Sequence, residues 1–261
     1  MYLNNIKSKY VFFIFIILIC LLNIFFYINL YNIDLNTILI NLLLRIIPII
    51  ILSIIFSFGS NCNNVHSNRK LFIPFIIMFF SERGVLILIQ KLNIELSNLN
   101  ILMFQIVLLV ILFFIYKYTF IFLDIKRLNF KVEYRFFILS LLIGCFIIML
   151  TLFQTTFTTL NINKLCIKFI FLFFYPALYE EVIYRGFFMG WLKHFNINDC
   201  IMNIIQSVFF GALHFSQYSS FGIFGFLGVT NQILTGFLLG QLYLYSGSLF
   251  PSIFIHALAD L

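Results

Sequence analysis

Six side chains in the last third of the sequence are of the types that move protons and hold charge. They are Glu180, Glu181 and Arg185 in Tyr179-Glu180-Glu181-Val182-Ile183-Tyr184-Arg185, His214 in Phe210-Gly211-Ala212-Leu213-His214, and His256 and Asp260 in His256-Ala257-Leu258-Ala259-Asp260. Carboxylates and imidazoles are the usual groups for general acid–base work on water, and imidazole can also bind a metal. Residues four apart are neighbours on a helix, so Glu181 can pair with Arg185, Glu180 can reach Tyr184, and His256 can meet Asp260. Each set lies within apolar sequence. An ionisable group in a lipid-crossing helix costs at least a few kcal/mol on insertion scales, and it points to function by default. One isolated pair is better explained as structural glue between helices; three sets on three helices are expensive as glue alone.

The elements that must position these groups are apolar runs. A span needs about 20 mostly apolar residues to cross a hydrocarbon core of about 30 Å, and the sequence offers candidates near 11–30, 36–58, 71–90, 101–123, 136–157, 165–192, 200–215, 221–245 and 248–261. The third is interrupted by Glu82 and Arg83, and the seventh and ninth are short. The fold class expected is all-α, a polytopic transmembrane bundle of about eight or nine helices. At about 1.5 Å per residue, Glu180 lies about 20 Å above Lys193, His214 about 22 Å above Asp199 and His256 about 14 Å above Gly247. A carboxylate and two imidazoles thus reach comparable depth, which favours a shared site.

Composition agrees with lipid. The 261 residues are 63% hydrophobic and only 10% charged, far from the balance of soluble domains. The net charge of +7 comes from 16 Lys and Arg that sit mainly between the apolar runs, with no basic patch of interleaved exposed aromatics, so a nucleic-acid partner is not expected. With nine spans and a cytoplasmic N-terminus, Lys7, Lys9, Arg69, Lys70, Lys126, Arg127, Lys131, Arg135 and Lys193 fall inside, leaving chiefly Lys91 and Lys164 outside, as the positive-inside rule asks. The basic segment Asp124 to Arg135 divides an N-terminal helical region, 1–135, from a C-terminal core, 136–261. The apolar run Val11 to Phe26 has no small-residue cleavage site after it and reads as an uncleaved first span. Cys20, Cys62, Cys145, Cys166 and Cys200 form no C-x-x-C pair and no metal spacing, and three lie in apolar runs where a thiol packs as a small hydrophobe.

Several membrane-peptidase chemistries lack their residues here: there is no H-E-x-x-H zinc helix, no rhomboid-type G-x-S-G loop and no presenilin-type G-x-G-D. What is present is Glu180-Glu181-x-x-x-Arg185, then Phe210-x-x-x-His214, then His256-x-x-x-Asp260, with Ser246-Gly247-Ser248-Leu249-Phe250-Pro251 ahead of the last His. In order and spacing these motifs resemble those of the CAAX protease and bacteriocin-processing (CPBP, or Abi) family of intramembrane peptidases, over roughly residues 165–261. The family's last motif often ends in Asn where this chain has Asp260. Gly236-x-x-x-Gly240 and Gly211 suit close helix contact, around such a site or as ordinary packing.

The resemblance implies that Glu180 is the general base and activates water together with His214, that Glu181 and Arg185 form an orienting pair, and that His256 and Asp260 polarise the carbonyl or support the water. It implies either a zinc-dependent or a glutamate-dependent peptidase. Two His and a Glu are compatible with a zinc site that keeps an open position, though no diagnostic ligand spacing selects it. The expected partner is a peptide or protein substrate that enters from the bilayer, such as a prenylated CAAX tail or a leader peptide. The expected location is a bacterial-type cell membrane. The alternative from another class is a non-catalytic membrane protein for bacteriocin immunity or scaffolding, in which the same polar cluster serves only packing.

Overall fold

The computed structural model describes residues 67–91, 98–122, 128–154, 162–218 and 225–261, and all regular structure among them is helical. The expected spans at 11–30 and 36–58, with Cys20 and Cys62, lie outside the described residues. The helices are α1 (Phe72–Lys91), α2 (Asn98–Phe122), α3 (Tyr134–Gln154), α4 (Ile162–Leu172), α5 (Tyr179–Glu181), α6 (Met189–Lys193), α7 (Asp199–Leu213), α8 (Phe215–Tyr218), α9 (Gly225–Ser246) and α10 (Leu249–Ala259). Among the described residues, no helix is long and apolar enough to cross a membrane.

The one long span expected over 165–192 is broken instead. Pro176 can offer no backbone N–H, and Tyr175 before it takes the extended φ of −145° and ψ of 124° that residues preceding proline favour. Beyond the break the chain resumes through α5 and continues into Val182–Phe188, which is wound as a π-helix, before α6. Such wide turns are rare and concentrate at functional sites. Here one carries Arg185 directly after the two glutamates.

Local chemistry accounts for the other helix ends. Asn198 caps α7 by accepting from the Cys200 N–H at 2.9 Å, with Asp199 in the first turn where the helix dipole favours negative charge. Gly247, at φ 62°, closes α9 in the left-handed region that glycine enters freely. Ser248 then caps α10 by accepting from Phe250 N–H, and Pro251 lies in the first turn, where a missing donor costs little. The segment before α3 braces this corner: Asn129 donates through Nδ2 to Gly247 O at 2.6 Å and accepts from Leu249 N–H at 2.9 Å.

One core joins α1, α2, the chain from Ala177 to Leu192, α7, α9 and α10. Leu71 and the α1 residues Phe75 and Met78 bury one helical face, where Phe75 stacks on Phe188 at 4.5 Å and Met78 O accepts from the Tyr179 hydroxyl. A second cluster packs Phe136 and Ile143 of α3 on Leu239, Leu242 and Ile255.

Outward faces are apolar, as at Phe113 and Phe114 of α2, Leu142 of α3 and Ile201, Ile205 and Val208 of α7. The interior holds Glu181, Arg185, Asn203, Gln206 and Ser207. Buried charged groups beneath apolar outer faces are unlike the surface of a water-facing domain. Cys145 and Cys166, expected to pack as small hydrophobes, are exposed on this apolar surface.

Helices α7 and α9 lie against each other along glycines. A Cβ at Gly240 would run into the Asn203 side-chain oxygen and come within 3.0 Å of Gln206 Nε2, and one at Gly236 would lie 3.0 Å from a Phe210 ring carbon. We expect Gly240→Val to push the helices apart and cost about 1–3 kcal/mol, the usual range for overpacking. A lowered midpoint of thermal unfolding in detergent checks this.

Candidate active site

Arg185 and Glu181 are both fully buried, and they meet as the helical spacing suggests: Nη1 donates to Glu181 Oε1 at 2.8 Å. The second guanidinium arm donates through Nη2 to the Gly236 carbonyl on α9 at 2.8 Å. Its central carbon lies over the Phe210 ring, 4.9 Å from the centroid, a cation–π contact that is worth more where water is absent. Arg185 thereby ties the π-helical segment to α7 and α9.

The same Glu181 oxygen accepts from His256 Nδ1 at 2.9 Å. Since a carboxylate oxygen can only accept, Nδ1 carries the proton, and the ring directs Nε2 the other way. There Nε2 lies 3.7 Å from Glu180 Oε2 and 3.6 Å from Asp260 Oδ2. The expected meeting of His256 with Asp260 is present at ion-pair distance, and the stronger tie of His256 runs to another helix.

The adjacent carboxylates live in different surroundings. Glu181 has no exposed surface, while the Glu180 side chain is 12% exposed and that of Asp260 37%. Helical geometry produces the difference, because consecutive residues point about 100° apart and cannot share one face. Glu181 turns into the protein toward Arg185 and His256, and Glu180 carries its Oε2 to 3.7 Å from the other ring nitrogen of His256.

His214 sits just past the end of α7, half-buried, with Nδ1 donating to the Phe210 carbonyl at 2.8 Å. That bond assigns the proton to Nδ1, so in the neutral ring Nε2 is an acceptor. His214 is joined to the cluster through Phe210, whose ring centroid is 4.7 Å from that of His214 and 6.0 Å from that of His256. Tyr184 meets the same ring edge-on at 5.2 Å. Phe210 is the hub on which the two imidazoles and the guanidinium are arranged.

Residues 162–261 match the family model described as Rce1-like, Type II CAAX prenyl endopeptidase Rce1-like. This stretch is similar to that family. No curated protein and no solved structure matches the chain. The matched stretch contains all six charged and imidazole residues of the three motifs.

Sequence reasoning missed a second set of polar groups in the matched stretch. Asn203, Gln206 and Ser207 lie fully buried on α7, at spacings of three and four that place them on one face. Their signal was present, since polar residues at helical spacing within an apolar run mark an inward face. Among the described residues no three His, Cys, Asp or Glu side chains converge so as to hold a metal ion.

Proposed function

We propose that this chain is an intramembrane endopeptidase that hydrolyses a peptide bond of a membrane-associated or lipidated peptide, with Glu180 and His214 activating water. The observation that carries this reading is the division of the two glutamates: Glu181, fully buried, takes both Arg185 and His256 on its Oε1, while the Glu180 side chain is 12% exposed and holds its Oε2 3.7 Å from His256 Nε2. Packing alone would require no partly exposed carboxylate next to a histidine already satisfied by its neighbour.

In the proposed reaction Glu180 removes a proton from water while His214 Nε2 holds the same water by accepting its other hydrogen. The hydroxide oxygen bonds to the carbonyl carbon, and the carbonyl electron pair moves onto oxygen. His256 and Asp260 stabilise that charge, His256 as an Nε2 donor when doubly protonated and Asp260 when its carboxyl is protonated. The carbon–nitrogen bond then breaks, and the proton held by Glu180 passes to the leaving amine. Glu181 and Arg185 touch no reacting atom; they hold the His256 ring in place. The reaction so written needs no metal-bound water.

The test is hydrolysis of prenylated CAAX and leader-type peptides in liposomes by the wild-type chain and by Glu180→Gln. Cleavage by wild type alone supports the reading. Equal cleavage by both proteins removes Glu180 from its role.

The proposed orientation is multi-pass in a bacterial-type cell membrane with the N-terminus and the 124–135 segment cytoplasmic. Phe130, 39% exposed, offers a labelling position. In a cysteine-free background, Phe130→Cys should react with an impermeant maleimide only in inside-out vesicles. Reaction only in right-side-out vesicles inverts the topology.

A further inference from the structure

A hydrogen-bonded chain of amides runs along the α7–α9 contact and ends on the guanidinium of the site. Gln206 Nε2 donates to Gly236 O at 2.8 Å and to Asn203 Oδ1 at 3.2 Å. Asn203 Nδ2 donates in turn to Phe237 O at 2.9 Å and to Gln241 Oε1 at 3.1 Å. An amide nitrogen has two hydrogens, and in both residues both are used, so the orientation of each amide is determined by its acceptors. Neither residue has exposed surface.

The decisive atom is Gly236 O. It accepts from Gln206 Nε2 and from Arg185 Nη2, each at 2.8 Å. A guanidinium is a rigid planar fork, so anchoring one arm on that carbonyl sets the direction of the other. The other arm meets Glu181 Oε1, and that oxygen also accepts from His256 Nδ1. The absence of a side chain at Gly240 makes room for the two amides, since a Cβ there would occupy the place of the Asn203 amide and come within 3.0 Å of Gln206 Nε2. Gly236 admits the Phe210 ring.

We propose that Gln206 is a positioning residue for the site: by holding the Gly236 carbonyl it orients Arg185, and through Arg185 and Glu181 it sets the direction of the His256 ring. Its effect on turnover rests on the peptidase reading above; its effect on the imidazole does not.

The experiment compares wild type with Gln206→Met, which keeps the length of the side chain without its donors, and with Gln241→Met, which removes an amide from the far end of the same contact. Two readouts are taken in detergent or liposomes: kcat and KM on a peptide that the wild type cleaves, and the 15N resonances of the His256 ring. Gln206→Met should lower kcat by about fivefold or more, the rate equivalent of one hydrogen bond, with KM unchanged. It should also shift the His256 nitrogens. Gln241→Met should leave both near wild type.

An unshifted His256 in Gln206→Met overturns the proposal, as do equal effects of the two substitutions or an unchanged kcat in a wild type that cleaves. If the wild type cleaves none of the peptides, the peptidase reading fails, and the His256 resonances alone decide the positioning role. Should Gln206→Met not fold, Gln206→Asn carries the same expectations, because it keeps the amide but falls about 1.5 Å short of Gly236, one carbon–carbon bond.

Discussion

Glu180→Gln should lower kcat by on the order of a thousandfold while leaving a folded protein, because a general base contributes roughly that factor and the amide cannot take the proton from water. The fold should tolerate the change. Glu180 is partly exposed and lies 3.7 Å from His256 Nε2, whereas the close contacts of His256 and Arg185 go to Glu181. KM should change little, since an interaction made only in the transition state appears in kcat. Single-turnover assays in liposomes, with folding checked by circular dichroism and resistance to added protease, measure both parts. A folded variant with wild-type kcat would assign the water to some other base.

Substitution of the neighbouring carboxylate should act mainly on stability. Glu181→Gln leaves the fully buried Arg185 guanidinium without its counter-charge and weakens the acceptor for His256 Nδ1. Breaking one side of a buried pair costs about 3–5 kcal/mol, a large share of the about 5–15 kcal/mol that holds a typical fold. The expected result is a sharp drop in folded yield and in unfolding midpoint, with any activity reduced in proportion to the surviving folded fraction. Arg185→Met should cost about as much, and the double variant Glu181→Leu/Arg185→Met should recover much of the loss, because apolar groups of similar volume often replace a buried pair without penalty. Catalysis should not recover with it, as the His256 ring has lost the acceptor that directs it. If Glu181→Gln instead matches wild type in stability, the pair is not the clamp described here.

The two substitutions separate the roles of adjacent residues that sequence alone cannot rank. The pattern Glu-Glu-x-x-x-Arg shows that a carboxylate and a guanidinium share a helix face, because the four-residue spacing is a local property of the helix. It leaves open which glutamate faces inward once the helix is packed.

Much of the architecture was legible because helix formation and burial depend on short stretches. The runs at 71–90, 101–123, 200–215, 221–245 and 248–261 correspond closely to the helices Phe72–Lys91, Asn98–Phe122, Asp199–Leu213, Gly225–Ser246 and Leu249–Ala259. The pairing of Arg185 with Glu181 was legible for the same reason. The break at Tyr175–Pro176 had a local signal in Pro176, masked by the unbroken hydropathy around it.

What only the tertiary structure decided is the set of contacts between helices. Nothing in the spacing of His256 and Asp260 indicates that His256 Nδ1 is held by Glu181, 75 residues earlier in the chain. Nor does Gly236-x-x-x-Gly240 show that Gly240 admits Asn203 and Gln206, or that the Gly236 carbonyl anchors Arg185. The physical reason is that a hydrogen bond requires atoms about 3 Å apart in a narrow range of angles, whereas sequence period specifies only which face a residue occupies. The rotation and axial position of each helix against its neighbours, set by packing over their whole length, turn shared depth into contact.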